Sequence, residues 1–173
     1  MTYYRRPNVE RGTNRDDVIN GTNRKDIVFA KNGDDIISTG GGNDVVYAGN
    51  GDDIIYAGSG NDLVFAGNGD DIVYAGSGWD EVYGGNGMDI LFGGSGQDLL
   101  FGGNGDDWLS GDEGHDLLLG GRGDDHLSGG EGNDVLVGGK GCDTAIFEDS
   151  IFNFQFFDLG FFGFYVVHDG LLG

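Results

Sequence analysis

The sequence is short of most of what small domains use to hold themselves together. It has one cysteine, Cys142, so no disulfide can form within the chain, and a single proline, Pro7. Base is scarce: nine Lys and Arg face 30 Asp and Glu, for a net charge of −21. Seven of the nine lie between Arg5 and Lys31, and none occurs over the ninety residues 32–121. Such a field repels DNA, RNA and anionic lipid, which excludes nucleic-acid binding and points to cationic partners. No apolar run is long enough to span a bilayer, so no membrane span is expected. The opening MTYYRRPNVERG lacks the apolar core of a Sec signal peptide, and any export address is expected elsewhere. His115, His126 and His168 stand in unrelated positions with no HExxH and no partnering Cys, and no GK[ST] follows the glycine runs. Without a nucleophile or base constellation, the chain reads as a non-enzyme.

What is plentiful is glycine, 38 residues of 173, and it is periodic. From Gly12 to Ile146 the chain divides into fifteen nine-residue units with no insertion or deletion. Position six is always Asp: Asp17, Asp26, Asp35, Asp44, Asp53, Asp62, Asp71, Asp80, Asp89, Asp98, Asp107, Asp116, Asp125, Asp134 and Asp143. Position four is Gly in thirteen successive units: Gly33, Gly42, Gly51, Gly60, Gly69, Gly78, Gly87, Gly96, Gly105, Gly114, Gly123, Gly132 and Gly141. Position eight is aliphatic from Ile19 through Val64 and Leu100 to Ala145. A second period doubles the first. At position five, odd units carry Asp16, Asp34, Asp52, Asp70, Asp106 and Asp124, whereas even units carry residues such as Asn43, Asn61 and Asn133. The structural repeat is therefore eighteen residues, two half-turns per coil.

The last three residues of a unit, such as IIY or LVF, are β-branched or aromatic and bounded by Gly, which predicts a short strand after a six-residue turn. Position eight then faces the interior, with positions seven and nine outward. Strands that alternate between two sides and return after eighteen residues build two stacked parallel sheets, a rod of about 36 Å at ~4.8 Å per coil. Positions two and four are expected to need φ > 0. Position one tolerates a Cβ, since Ala48, Ala57, Ala66 and Ala75 occupy it. The outward aromatics at position nine, Phe29 to Phe101 on one sheet and Tyr56 to Phe92 on the other, are expected to stack along the rod, and they also offer a surface for self-association.

Stacked carboxylates oppose folding unless a cation lies between them. Turn carbonyls near the position-four glycines, with one Asp per turn, form a set of hard oxygen donors without nitrogen or thiolate, which suits Ca²⁺. An ion between each turn and the next on the same edge gives at most about thirteen sites for fifteen units. Fewer are expected, because Thr13, Arg15, Thr22 and Arg24 take the glycine positions of the first two units.

GGNGMDILF, GGSGQDLLF and GGEGNDVLV resemble the GGxGxDxUx nonapeptide of RTX (repeats-in-toxin, hemolysin-type) proteins. The resemblance implies an all-β, right-handed parallel β-roll with Ca²⁺ held by turn carbonyls and the position-six Asp, folding coupled to calcium outside the cell. It also implies secretion from a Gram-negative bacterium by a type I ABC transporter that reads an uncleaved C-terminal signal. Residues 1–11 then form a basic lead or cap, 12–146 the β-roll, and 147–173 an aromatic cap that also fits such a signal. Eight of the twelve Phe lie between Phe147 and Phe164, where IFNFQFFD and FYVVHDG read as strands and LGFFG as a turn between them. The resulting reading is a secreted calcium-binding module. Its alternatives are a calcium-dependent adhesin or surface self-assembly protein, and the RTX part of a larger protease, lipase or epimerase.

Overall fold

The computed structural model describes residues 6–146 in full and, beyond them, the backbone of two strands, Phe154–Asp158 and Phe164–His168. Described residues contain strands and turns but no helix. Successive strands alternate between two parallel sheets. One holds Asn8–Arg11, Asp26–Asn32, Val45–Asn50, Leu63–Asn68, Glu81–Asn86, Leu99–Asn104, Leu117–Arg122 and Val135–Lys140. The other holds Val18–Thr22, Ile36–Gly40, Ile54–Ser59, Ile72–Gly78, Ile90–Gly96, Trp108–Gly114, His126–Ser128 and Thr144–Ile146, with Glu131–Gly132 paired beside Trp108–Gly114. Each residue faces the one eighteen positions on, as in Val45↔Leu63 and Asn50↔Asn68. The molecule is a β-solenoid of about eight turns, and the eighteen-residue period is its coil.

The strands are longer than the three residues that pattern alone predicts. Val45–Asn50 and Ile54–Ser59 run from position seven of one unit to position three of the next. The reason lies at position one. Ala30, Ala48, Ala57, Ala66 and Ala75 are completely buried, as are Val28, Val46, Ile55, Val64 and Val73 at position eight. Both rows point inward, on either side of an outward position nine, so the in-out alternation of a strand continues through position one.

The two inward rows compensate each other. From Val28–Ala30 to Val73–Ala75 a strand brings Val or Ile with Ala or Thr, and from Leu91–Gly93 to Leu136–Gly138 Leu with Gly; Ile19–Gly21 at the start and Val82–Gly84 at the changeover follow neither pairing. Val plus Ala and Leu plus Gly carry the same number of side-chain carbons, so core volume holds while its distribution changes. Replacing Leu100 by Val is expected to cost about 1 kcal/mol, which urea titration of both chains in saturating calcium would measure.

Position nine forms ladders outside each sheet. Phe29, Tyr47, Phe65, Tyr83 and Phe101 stack with centroids 4.7 to 5.1 Å apart, and Tyr56, Tyr74 and Phe92 at 5.0 Å. The ring faces are thus spent on one another. Phe65 stacks on both sides, so Phe65→Ala should cost about 2 kcal/mol in thermal or urea unfolding.

Asn8–Arg11 starts the first sheet, parallel to Asp26–Phe29, with the Arg11 guanidinium 5.2 Å from the Phe29 ring centre. At the far end Phe164–His168 pairs antiparallel with Val135–Val137 and with Phe154–Asp158, so an antiparallel pair occupies the edge that Val135–Lys140 would otherwise leave open. Strands thus form where IFNFQFFD and FYVVHDG predict them. The turn expected at 159–163, and residues 1–5 of the basic lead, lie outside the described residues.

Candidate metal centre

Each turn is compressed onto its neighbour along the rod, and glycine makes this feasible. All thirteen position-four glycines take φ between +115° and +156°. A Cβ on Gly69, for instance, would lie 2.1 Å from the Gly51 carbonyl oxygen of the preceding coil. The position-six carboxylates end these turns, and Asp26 through Asp134 are buried although they stand at the edge of the solenoid.

Their two oxygens have different fates. Oδ1 accepts the backbone N–H of the Asp one coil earlier, Asp17 to Asp35, Asp35 to Asp53 and so on along both edges as far as Asp143, at 2.7 to 3.1 Å. The row read from sequence as a column of repelling charge is therefore also a ladder that ties coil to coil. Oδ2 is different. In Asp35, Asp44, Asp53, Asp62, Asp71, Asp80, Asp89, Asp98, Asp107, Asp116, Asp125 and Asp143 it is buried with no hydrogen-bond partner. A buried carboxylate oxygen in this state carries a large desolvation penalty.

The proton affinity of these groups reflects that penalty. Burial, only partly offset by the N–H on Oδ1 and reinforced in most turns by neighbouring carboxylates, pushes Asp53, Asp62, Asp89, Asp107 and Asp125 up to about 6. Asp80 and Asp116 rise to about 7, and Asp71 to about 8. Asp35, Asp44 and Asp98 shift upward for the same leading reason.

What could satisfy the open oxygens is constrained by what surrounds them. Among the described residues no three His, Cys, Asp or Glu side chains converge, so an ion here must take backbone oxygens as well. Such oxygens are at hand. The point where a Cβ on Gly102 would stand is 2.4 Å from Asp107 Oδ2 and 2.7 Å from the Gly120 carbonyl oxygen; at Gly120 the matching distances to Asp125 Oδ2 and the Gly138 carbonyl are 2.4 and 2.6 Å. A carboxylate and carbonyls without nitrogen or sulfur are the donor set of a hard cation, and their irregular arrangement fits Ca²⁺ better than Mg²⁺. The orphaned Oδ2 atoms and the crowded carbonyls fit such an ion.

Position five contributes differently from what the sequence shows. Its acidic row is exposed and bonds in the opposite direction: Asp34 Oδ1 accepts the Asp52 N–H at 3.0 Å and Asp52 Oδ1 the Asp70 N–H at 2.9 Å, each from the following coil. Asn43 and Asn61 do the same on the other edge at 3.2 Å, and His115 Nδ1 accepts the Asn133 N–H at 2.8 Å. At position three, Asn14, Asn32, Asn50, Asn68, Asn86 and Asn104 link amide to amide at 2.6 to 3.0 Å. The position-five ladder was visible in the sequence only as a preference for Asp and Asn.

The family model for the RTX calcium-binding nonapeptide repeat, four copies long, matches residues 11–46, 29–64, 47–82, 56–91, 83–118 and 110–145, which together cover residues 11–145. No curated protein matches the chain.

Proposed function

The chain belongs to the family of RTX calcium-binding nonapeptide repeats, and from that premise we propose that it is a secreted module whose activity is calcium-driven folding. The observation that carries this reading is the run of twelve buried, unpartnered Oδ2 atoms at the turns. Without a cation they oppose the fold; with Ca²⁺ between successive turns, held by position-six Asp and by turn carbonyls that include those of Gly120 and Gly138, each becomes a ligand. Binding free energy then appears as folding free energy. At extracellular affinities of about 10⁻⁴ to 10⁻³ M, the chain stays loose in a low-calcium cytosol and folds outside. Export through a type I ABC transporter, with residues 147–173 as signal and cap, rests on the family. No helix among the described residues is long and apolar enough to cross a membrane.

Calcium bound per chain, measured by equilibrium dialysis while circular dichroism follows strand content, tests the proposal. Several ions should be taken up in step with strand formation, and magnesium at the same concentrations should not replace them. Strand formation at pH 8 with no calcium uptake would refute it. Self-association through the ladders is the second reading, favoured by the 41% and 45% exposure of Tyr47 and Tyr56. It requires a sedimenting oligomer in millimolar calcium, and a strictly monomeric chain excludes it.

A further inference from the structure

The first coil differs from those after it in what its carboxylates touch. Asp17 Oδ2 accepts the Thr13 backbone N–H at 2.6 Å and the Thr13 hydroxyl at 2.9 Å. Half a coil on, Asp26 Oδ2 accepts the Thr22 N–H at 2.7 Å and its hydroxyl at 3.1 Å. Both threonines stand at position two, where Gly49, Gly58 and most later units have no hydroxyl to give. From Asp35 to Asp125 the corresponding oxygen is buried without a partner. The same two units carry Arg15 and Arg24 at position four in place of Gly. In the third unit, Lys31 reaches back to donate its ammonium to the Gly12 carbonyl, from a position-two backbone held at φ +94° where glycine is otherwise the rule. Hydroxyl donors and fixed positive charge are gathered at this end of the array.

We infer that these residues close the first coil with the chain's own donors, so that units one and two take no calcium and form a metal-independent end on which the ion-bound coils stack. The inference rests on the calcium reading above. A carboxylate oxygen that already accepts two hydrogen bonds has no desolvation deficit for an ion to relieve. An ion beside it would have to displace the threonine and lie close to fixed cations. Of the thirteen stacked pairs of turns that fifteen units offer, the two that include the first coil stay without calcium, leaving at most eleven.

The test compares the full chain with Thr13→Gly/Arg15→Gly/Thr22→Gly/Arg24→Gly/Lys31→Gly, which restores glycine at positions two and four of the first coil and at position two of the third unit and removes the cations of Arg15, Arg24 and Lys31, and with Thr13→Ser/Thr22→Ser, which keeps both hydroxyls. Calcium per folded chain is counted by equilibrium dialysis, and the dependence of folding on calcium gives a second count. The glycine variant should bind about two more ions and fold with a correspondingly steeper calcium dependence, while the serine pair matches the parent. A glycine variant that folds at no calcium concentration, beside a serine pair that does, overturns the inference, since calcium then does not take the place of the donors removed. Equal counts on parent and glycine variant overturn the inference alone. Absence of calcium from every chain overturns it together with the calcium reading.

Discussion

Asp53→Ala in saturating calcium is expected to lower the folding equilibrium constant by roughly 30- to 100-fold, about 2 to 3 kcal/mol, and to reduce the calcium bound. Asp52→Asn is expected to leave the ion count unchanged and to lower the calcium needed for half-folding. The two residues are adjacent in AGNGDDIIY but serve different ladders. Asp53 is buried; its Oδ1 takes the Asp35 N–H at 2.8 Å and its Oδ2 has no protein partner. Alanine there removes a ligand and leaves the Asp35 N–H without its acceptor. Asp52 is exposed and uses Oδ1 to accept the Asp70 N–H at 2.9 Å. Asparagine offers the same carbonyl acceptor, as Asn43 and Asn61 already do on the other edge. The substitution therefore keeps the ladder and deletes one charge from a repelling row. Calcium titrations of both variants followed by circular dichroism settle the assignment, and equal losses would show that the carboxylates share one role.

Protons should substitute for calcium. Eight position-six carboxyls have folded, metal-free values of about 6 to 8, against 3.8 for an ordinary Asp. The sign follows from linkage. Values raised by folding mean that the folded chain binds more protons than the unfolded one, so its stability is fully present below about pH 4 and is lost as pH rises through 6 to 8. In chelator the strand signal should thus persist near pH 5 and disappear by pH 8, and the calcium needed for folding should increase across the same interval. A chelated chain equally ordered at both pH values would contradict this, as would one disordered at both.

Much of this architecture was legible because the repeat never slips. An unbroken phase from Gly12 to Ile146, with alternation at period two units, dictates the coil, the two sheets and the register. Position eight announced its inward direction by being aliphatic throughout. Position one did not, because Ala and Gly suit a turn and a narrow core equally well. Its burial emerges only when Ala66 is seen beside Val64, and Gly102 beside Leu100, on one strand. The carboxylates were legible as a column of Asp, but one oxygen of each is committed to a neighbour's N–H, and the direction of that bond depends on the axial offset between coils. Thr13 and Thr22 read as lapses from the glycine pattern; in three dimensions their hydroxyls meet the carboxylates that lack a partner elsewhere.

The most direct measurement is the far-UV circular dichroism of the full chain at pH 8, first in excess chelator and then in millimolar calcium. Buried Oδ2 atoms that need a cation predict a disordered spectrum in chelator and a cooperative return of strand signal on adding calcium. A strand spectrum that chelation leaves unchanged would contradict the account, because the carboxylates would then be tolerated in the fold without any ion.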